Sequence, residues 1–108
     1  MSNYSADEQY AVQRYFSGNL SLYKECRDHV ISDIQLRSGS VYEWIAQSDS
    51  ESLRGFCHEF LVIFLTLGWY PEHELLEKMQ VQVCTNAQDQ NQISNYWSVI
   101  DDLLSKRK

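Results

Sequence analysis

Glu25, His29 and Asp33 stand at i, i+4 and i+8, a spacing that would aim two carboxylates and an imidazole along one face of a single helix. Those are donors for a divalent ion, but a tight zinc site closes with four ligands, and no further donor is evident. The set therefore reads as a solvated helix face. His73 and Glu77 repeat the i, i+4 pairing with nothing to complete it. His58-Glu59 opens like the H-E-x-x-H motif of zinc proteases, yet the place of the second histidine falls on an apolar residue, Leu61 or Val62. Nucleophilic catalysis needs a thiol or hydroxyl beside an organised base. Cys26 and His29 could touch across one helical turn, but Cys26 belongs to an apolar stripe, where a thiol stays protonated. One helix face also supplies no oxyanion donors. The four glycines are widely separated, so there is no phosphate-cradling loop. The expectation is a protein that is not an enzyme, with no catalytic residues, no metal and no cofactor.

What the residues offer instead is a contact surface. Gly68-Trp69-Tyr70-Pro71-Glu72-His73-Glu74 sets two wide aromatics and two acids between two helical stretches. A helix ending at Gly68 and another starting at Pro71 put Trp69 and Tyr70 on a corner, and corners lie at the surface. In a competing arrangement the Trp69 ring folds back over Gly68 as a lid. From Asp49 to Glu77 the acids Asp49, Glu51, Glu59, Glu72, Glu74 and Glu77 precede Lys78 and face one base, Arg54. Aromatic anchors at the centre of an interface carry much of its energy, while surrounding charge speeds encounter and selects the partner. The expected partner-binding set is Trp69, Tyr70, Glu72, Glu74, Glu77, Asp49 and Glu51.

Helices have to position these residues. Ser5…Glu8, Ser40…Glu43 and Ser48…Glu51 each fit a capping box. The first predicts a helix over 6–17, ended by Gly18. Asn19 caps a second over 20–36, ended by Arg37-Ser38-Gly39, and 40–47 reads as a short helix. The next, 50–67, keeps Leu53, Phe56, Cys57, Phe60, Phe64 and Leu67 on one face. Leu61, Val62, Ile63 and Leu65 spread its apolar surface almost all round, which puts it at the centre of the bundle, enclosed by neighbours. Pro71, at a first helical position, starts a helix to about 84, and polar 85–92 is a loop. The last helix, 91–105, carries Ile93, Tyr96, Trp97, Ile100, Leu103 and Leu104 inward. The expected fold is all-α, a single-domain bundle of about five to six helices over 1–108, with Lys106, Arg107 and Lys108 as a frayed basic tail.

Composition agrees with this. The chain has 108 residues, 44% hydrophobic, with one proline, enough for one core. Its formal net charge of −6 repels nucleic-acid phosphate and favours a basic partner. Cys26, Cys57 and Cys84 are far apart and read as buried free thiols in a reducing cytoplasm. No basic-then-apolar leader opens the chain, and the longest apolar run, 60–65, is far short of the roughly 20 residues that span a bilayer. The reading is a cytoplasmic protein with no membrane or direct nucleic-acid contact, monomeric before it binds.

Trp69-Tyr70-Pro71-Glu72 resembles the recognition turn of the helical immunity proteins that neutralise DNase colicins, in which two tyrosines before a proline, with nearby acids, dock on a basic nuclease. Trp69 stands in place of the first tyrosine. By type the chain also resembles the small acidic bacterial immunity proteins of contact-dependent inhibition. The resemblance implies an inhibitor that occludes a basic nuclease toxin, with Trp69 and Tyr70 as anchors and Glu72, Glu74 and Glu77 standing where phosphate would lie. Two other readings fit the same residues: a phage-encoded inhibitor of a nucleic-acid-binding defence complex, and a regulatory adaptor that takes a partner helix in an apolar groove. A metal-dependent enzyme using Glu25, His29 and Asp33 ranks last.

Overall fold

In the computed structural model, which describes residues 4–85 and 89–107, the helices are α1 (Ala6–Tyr15), α2 (Leu20–Ala46), α3 (Ser50–Leu67), α4 (Tyr70–Val83) and α5 (Gln90–Ser105). Side chains that satisfy free backbone donors set most of the starts. Ser5 Oγ accepts from the Glu8 N–H at 3.2 Å, and Glu8 Oε1 accepts from the Ser5 N–H at 3.1 Å, the reciprocal box the sequence predicts. Asn19 accepts from Leu22 N–H at 3.0 Å, and Asp89 accepts from the N–H groups of Asn91 and Gln92. The cap of α3 is Asp49 rather than Ser48. Its carboxylate accepts from the Ser52 N–H at 3.2 Å and hydroxyl at 2.8 Å, while Ser48 sits in the preceding turn at φ 55°.

The bundle has five helices because the expected 20–36 and 40–47 pieces are one helix of 27 residues. Ile31, Ile34, Val41 and Ile45 are all buried, so one apolar face runs straight across Gly39. Burying that face outweighs the cost of a glycine inside a helix, about 1 kcal/mol. Ser40…Glu43 therefore lies within α2 and caps nothing. The loop expected over 85–92 gives way to α5 at Gln90, and its residues 86–88 lie outside the described residues.

α3 and α4 form an antiparallel hairpin around Gly68. α4 lies between α3 and α5, α2 packs on both α3 and α5, and α1 packs on α3. The core is built on an aromatic ladder. Trp44, Phe56, Phe60, Phe64 and Trp69 follow one another with ring centroids 6.2, 4.7, 5.8 and 5.9 Å apart, and Trp97 meets Phe56 edge-on at 5.3 Å. α3 supplies the middle of the ladder, but its neighbours do not enclose it: Val62 is 65% and Leu65 40% exposed. Of the cysteines only Cys57 is buried. Cys26 is half-buried and Cys84 is exposed where α4 ends, so the expectation of three buried thiols holds for one.

Gly68 adopts a left-handed φ of 77°, and a Cβ there would stand 2.5 Å from the Asp7 carbonyl oxygen of α1. A Cβ on Gly39 would meet nothing within 4 Å. Gly39→Ala is therefore expected to raise the unfolding free energy by about 1 kcal/mol. Gly68→Ala is expected to lower it by at least about 1 kcal/mol, from left-handed strain plus the clash. Urea titration of both variants checks the pair, and a destabilised Gly39→Ala would contradict a continuous α2.

Candidate functional site

The aromatic corner is not at the surface. Trp69 and Glu72 are both 0% exposed, because α1 lies directly across Gly68 and closes the corner from above. Both residues therefore leave the expected partner-binding set. The Trp69 indole N–H donates to Glu8 Oε2 at 3.0 Å. Glu72 accepts a fork from Arg107, whose Nη2 lies 3.0 Å from Oε1 and whose Nε donates to Oε2. Arg107 is thus folded inward, and the frayed tail is corrected at that residue. Lys106 is exposed beside Asp102 at 3.2 Å, and Lys108 lies outside the described residues.

Glu8 is the centre of this cluster. Its Oε2 also lies 3.3 Å from Arg27 Nε, and its Oε1 lies 3.3 Å from Arg107 Nη1. The Tyr23 hydroxyl donates to the Leu67 carbonyl at 2.6 Å and sits 3.2 Å from Glu8 Oε2. Arg27 Nη2 donates to the Arg107 carbonyl. Burial alone would raise the Glu8 pKa. The Ser5 N–H, the Trp69 indole, and the charges of Arg107 and Arg27 outweigh it, and the carboxyl is held below its ordinary value. Burial and the Glu8 charge push the Tyr23 phenol up. For Arg107 burial disfavours the cation, but the Glu72 carboxylate more than offsets this and the pKa is raised. A carboxylate this fully engaged has no lone pair left for a substrate proton, so the cluster works as a clamp. It opens on a cleft of about 460 Å³ that also includes Tyr4 and Lys24.

The other expected partner-binding residues do not form one patch. Because α3 and α4 are antiparallel, the start of α3 is about 24 Å from the corner at 1.5 Å per residue. Asp49 is half-buried and committed to capping α3. Glu74 and Glu77 are exposed on α4, one beside Lys78 at 3.5 Å and the other 3.8 Å from His73 Nε2. Tyr70 is half-buried, close enough to Asp7, Tyr10 and Tyr15 of α1 to interact with them electrostatically. Glu51 instead shares a groove of about 410 Å³ between α2 and α3 with Glu59, Trp44 and Phe56. Sequence reasoning left Trp44 unassigned. Arg37, Ser40 and Trp44 fall on one face of α2 once that helix is continuous, which was the signal available.

Glu25 and His29 are exposed and Asp33 lies 3.7 Å from Arg37; among the described residues no three metal-ligating side chains converge. The Cys57 thiol is pushed up to about 12 by burial, with Cys84 contributing. No helix among the described residues is long and apolar enough to cross a membrane. Comparison with protein families, with curated proteins and with solved structures finds no match.

Removing one member of a buried ion pair costs about 3–5 kcal/mol, so Arg107→Ala should lower the unfolding free energy on that scale, with Arg107→Lys falling between. The Glu8 pKa lies below its ordinary value of 4.5 when the chain is folded, so its stabilisation is complete above pH 4.5 and is lost as pH falls further. Glu8→Gln should flatten that acid limb in urea titrations at a series of pH values. An unaltered acid limb would place the sensitivity elsewhere.

Proposed function

We propose that this chain binds and blocks a basic protein, and that the partner is a nuclease toxin of the kind met by small acidic immunity proteins. The observation that supports this is the disposition of charge after folding. Arg27 and Arg107 are drawn inside by Glu8 and Glu72. Lys24, Arg37, Lys78 and Lys106 lie on neighbouring carboxylates. Among the described residues Asp7, Glu25, Glu43, Asp49, Glu51, Asp89 and Asp101 then have no ion-pair partner, against Arg14 and Arg54 on the basic side. A field of that sign repels nucleic acid and accelerates encounter with a cationic protein. The inhibitor would act by covering the surface on which phosphate is bound. Tyr70, Glu74 and Glu77 on one side, or Glu51 on the other, are the residues that would meet it.

A second reading has its own observation. Phe16, Cys26, Val30, Val62, Ile63 and Leu67 line an apolar groove of about 240 Å³ between α2 and α3, the setting an adaptor would use for a partner helix. Salt separates the two. The product of the adjacent gene, titrated calorimetrically at low and at physiological salt, should lose affinity steeply as salt rises. The Glu74→Lys/Glu77→Lys and Glu51→Lys variants should slow its association. Affinity indifferent to salt and to both reversals, but abolished by Val62→Asp, would replace the inhibitor reading with the adaptor.

A further inference from the structure

We infer that the groove between the second half of α2 and the first half of α3 seats an arginine side chain of the partner, an inference that rests on the basic-partner reading above. In three places this chain sets one of its own arginines on an aromatic ring beside a carboxylate. Arg107 lies 5.2 Å from the Trp69 ring and pairs with Glu72. Arg27 lies 5.3 Å from the Tyr4 ring and pairs with Glu8. Arg37 lies 5.5 Å from the Phe60 ring and pairs with Glu59 at 2.9 Å. The fourth such assembly is Trp44 with Phe56 beneath it and Glu51 in the same groove. Among the described residues no cation lies over Trp44, and Glu51 has no ion-pair partner.

The groove is also kept open at a cost. Gly55 lies inside α3, where glycine is about 1 kcal/mol worse than alanine. Its φ is not in the left-handed region, and a Cβ there would meet nothing within 4 Å. Neither backbone geometry nor packing requires glycine at this position. With Ser40 and Ser52 it leaves about 410 Å³ free above the aromatic floor. The stem of an incoming arginine would lie across Trp44, with its guanidinium between Glu51 and Glu59. A planar, weakly hydrated guanidinium stacks on indole and forks onto carboxylates, and an ammonium does neither. Arg37 closes the far wall with its charge already met by Glu59 and Asp33, which leaves Glu51 as the rim acid without an ion-pair partner.

The test uses the full chain and a short arginine–glycine peptide, with lysine and citrulline versions as comparisons, followed by amide and indole NMR. Expected are shifts of the Trp44 indole and of the Glu51, Gly55 and Glu59 amides, affinity about tenfold higher for arginine than lysine, and no binding by citrulline. Gly55→Leu fills the groove while improving helix propensity, so it should stay folded and lose about tenfold in affinity. Glu51→Gln should lose a similar factor. Salt-sensitive shifts at other acids, with Gly55→Leu binding like the parent, would overturn the groove and leave the basic-partner reading standing. Equal groove binding by the lysine peptide would overturn the arginine assignment. No shift anywhere with either cationic peptide would count against both readings.

Discussion

The Glu8 carboxylate is the contact on which the other elements depend. α1 has only 10 residues, too short to hold as a helix without tertiary contacts, and its buried apolar side chains are Ala11 and Val12. What fixes it is Glu8, which meets Arg27 of α2, Trp69 at the α3–α4 corner, and Arg107 beyond α5. Tyr23 adds the end of α3 through the Leu67 carbonyl, and Glu72 of α4 takes the other side of Arg107. Two carboxylates and two guanidiniums are thus nearly balanced inside a small domain. Such a set is not intrinsically more stable than a well-packed apolar one, because desolvation is costly. It is more exacting: a one-residue shift of α1 would take Glu8 away from Arg27, Trp69 and Arg107 together.

That demand has a consequence for the surface. Arg27 and Arg107 enter the cluster together with Glu8 and Glu72, so charges of both signs cancel there and the −6 of the chain is left to the residues outside it. The aromatic ladder then connects two kinds of acid–aromatic junction. At one end Trp69 is closed over by Arg107; at the other Trp44 stands open beside Glu51. The core chemistry and the contact chemistry are the same, with the arginine supplied from within in one case only.

Much of the architecture was legible because its causes are local. Apolar periodicity placed α3 at its observed bounds and α5 within a residue, and the capping box Ser5…Glu8 placed the start of α1. Gly39 misled because a glycine is a local signal, while the burial of Val41 and Ile45 that overrides it is tertiary. The corner misled for the same reason at longer range. Trp69 meets an acid 61 positions away and Glu72 a base 35 positions away, and no spacing rule spans such distances. Glu72 stands in the first turn of α4, where an acid is favoured by the helix dipole whatever lies above it. One clue was present: Glu8 shares a face with Ala11 and Val12 at i, i+3 and i+4, a charge set into an apolar stripe. Such a charge needs a buried partner.

Rigidity decides whether an exposed groove can serve recognition, since ordering loops and side chains on binding subtracts directly from affinity. The α2–α3 groove has both walls on helices. Its floor is fixed by Phe56, held between Phe60 and Trp97. The turn joining the two helices is pinned from a third direction by Gln90 of α5, whose amide donates to the Ile45 carbonyl at 3.0 Å and the Ser48 hydroxyl at 2.6 Å. Asp49 in that same turn caps α3. An acid that seemed placed to greet a partner is therefore part of the frame that holds Glu51 and Trp44 in position. Asp49 spends its charge on the frame, and Glu51, two positions on, is left on the rim of the groove with no ion-pair partner among the described residues.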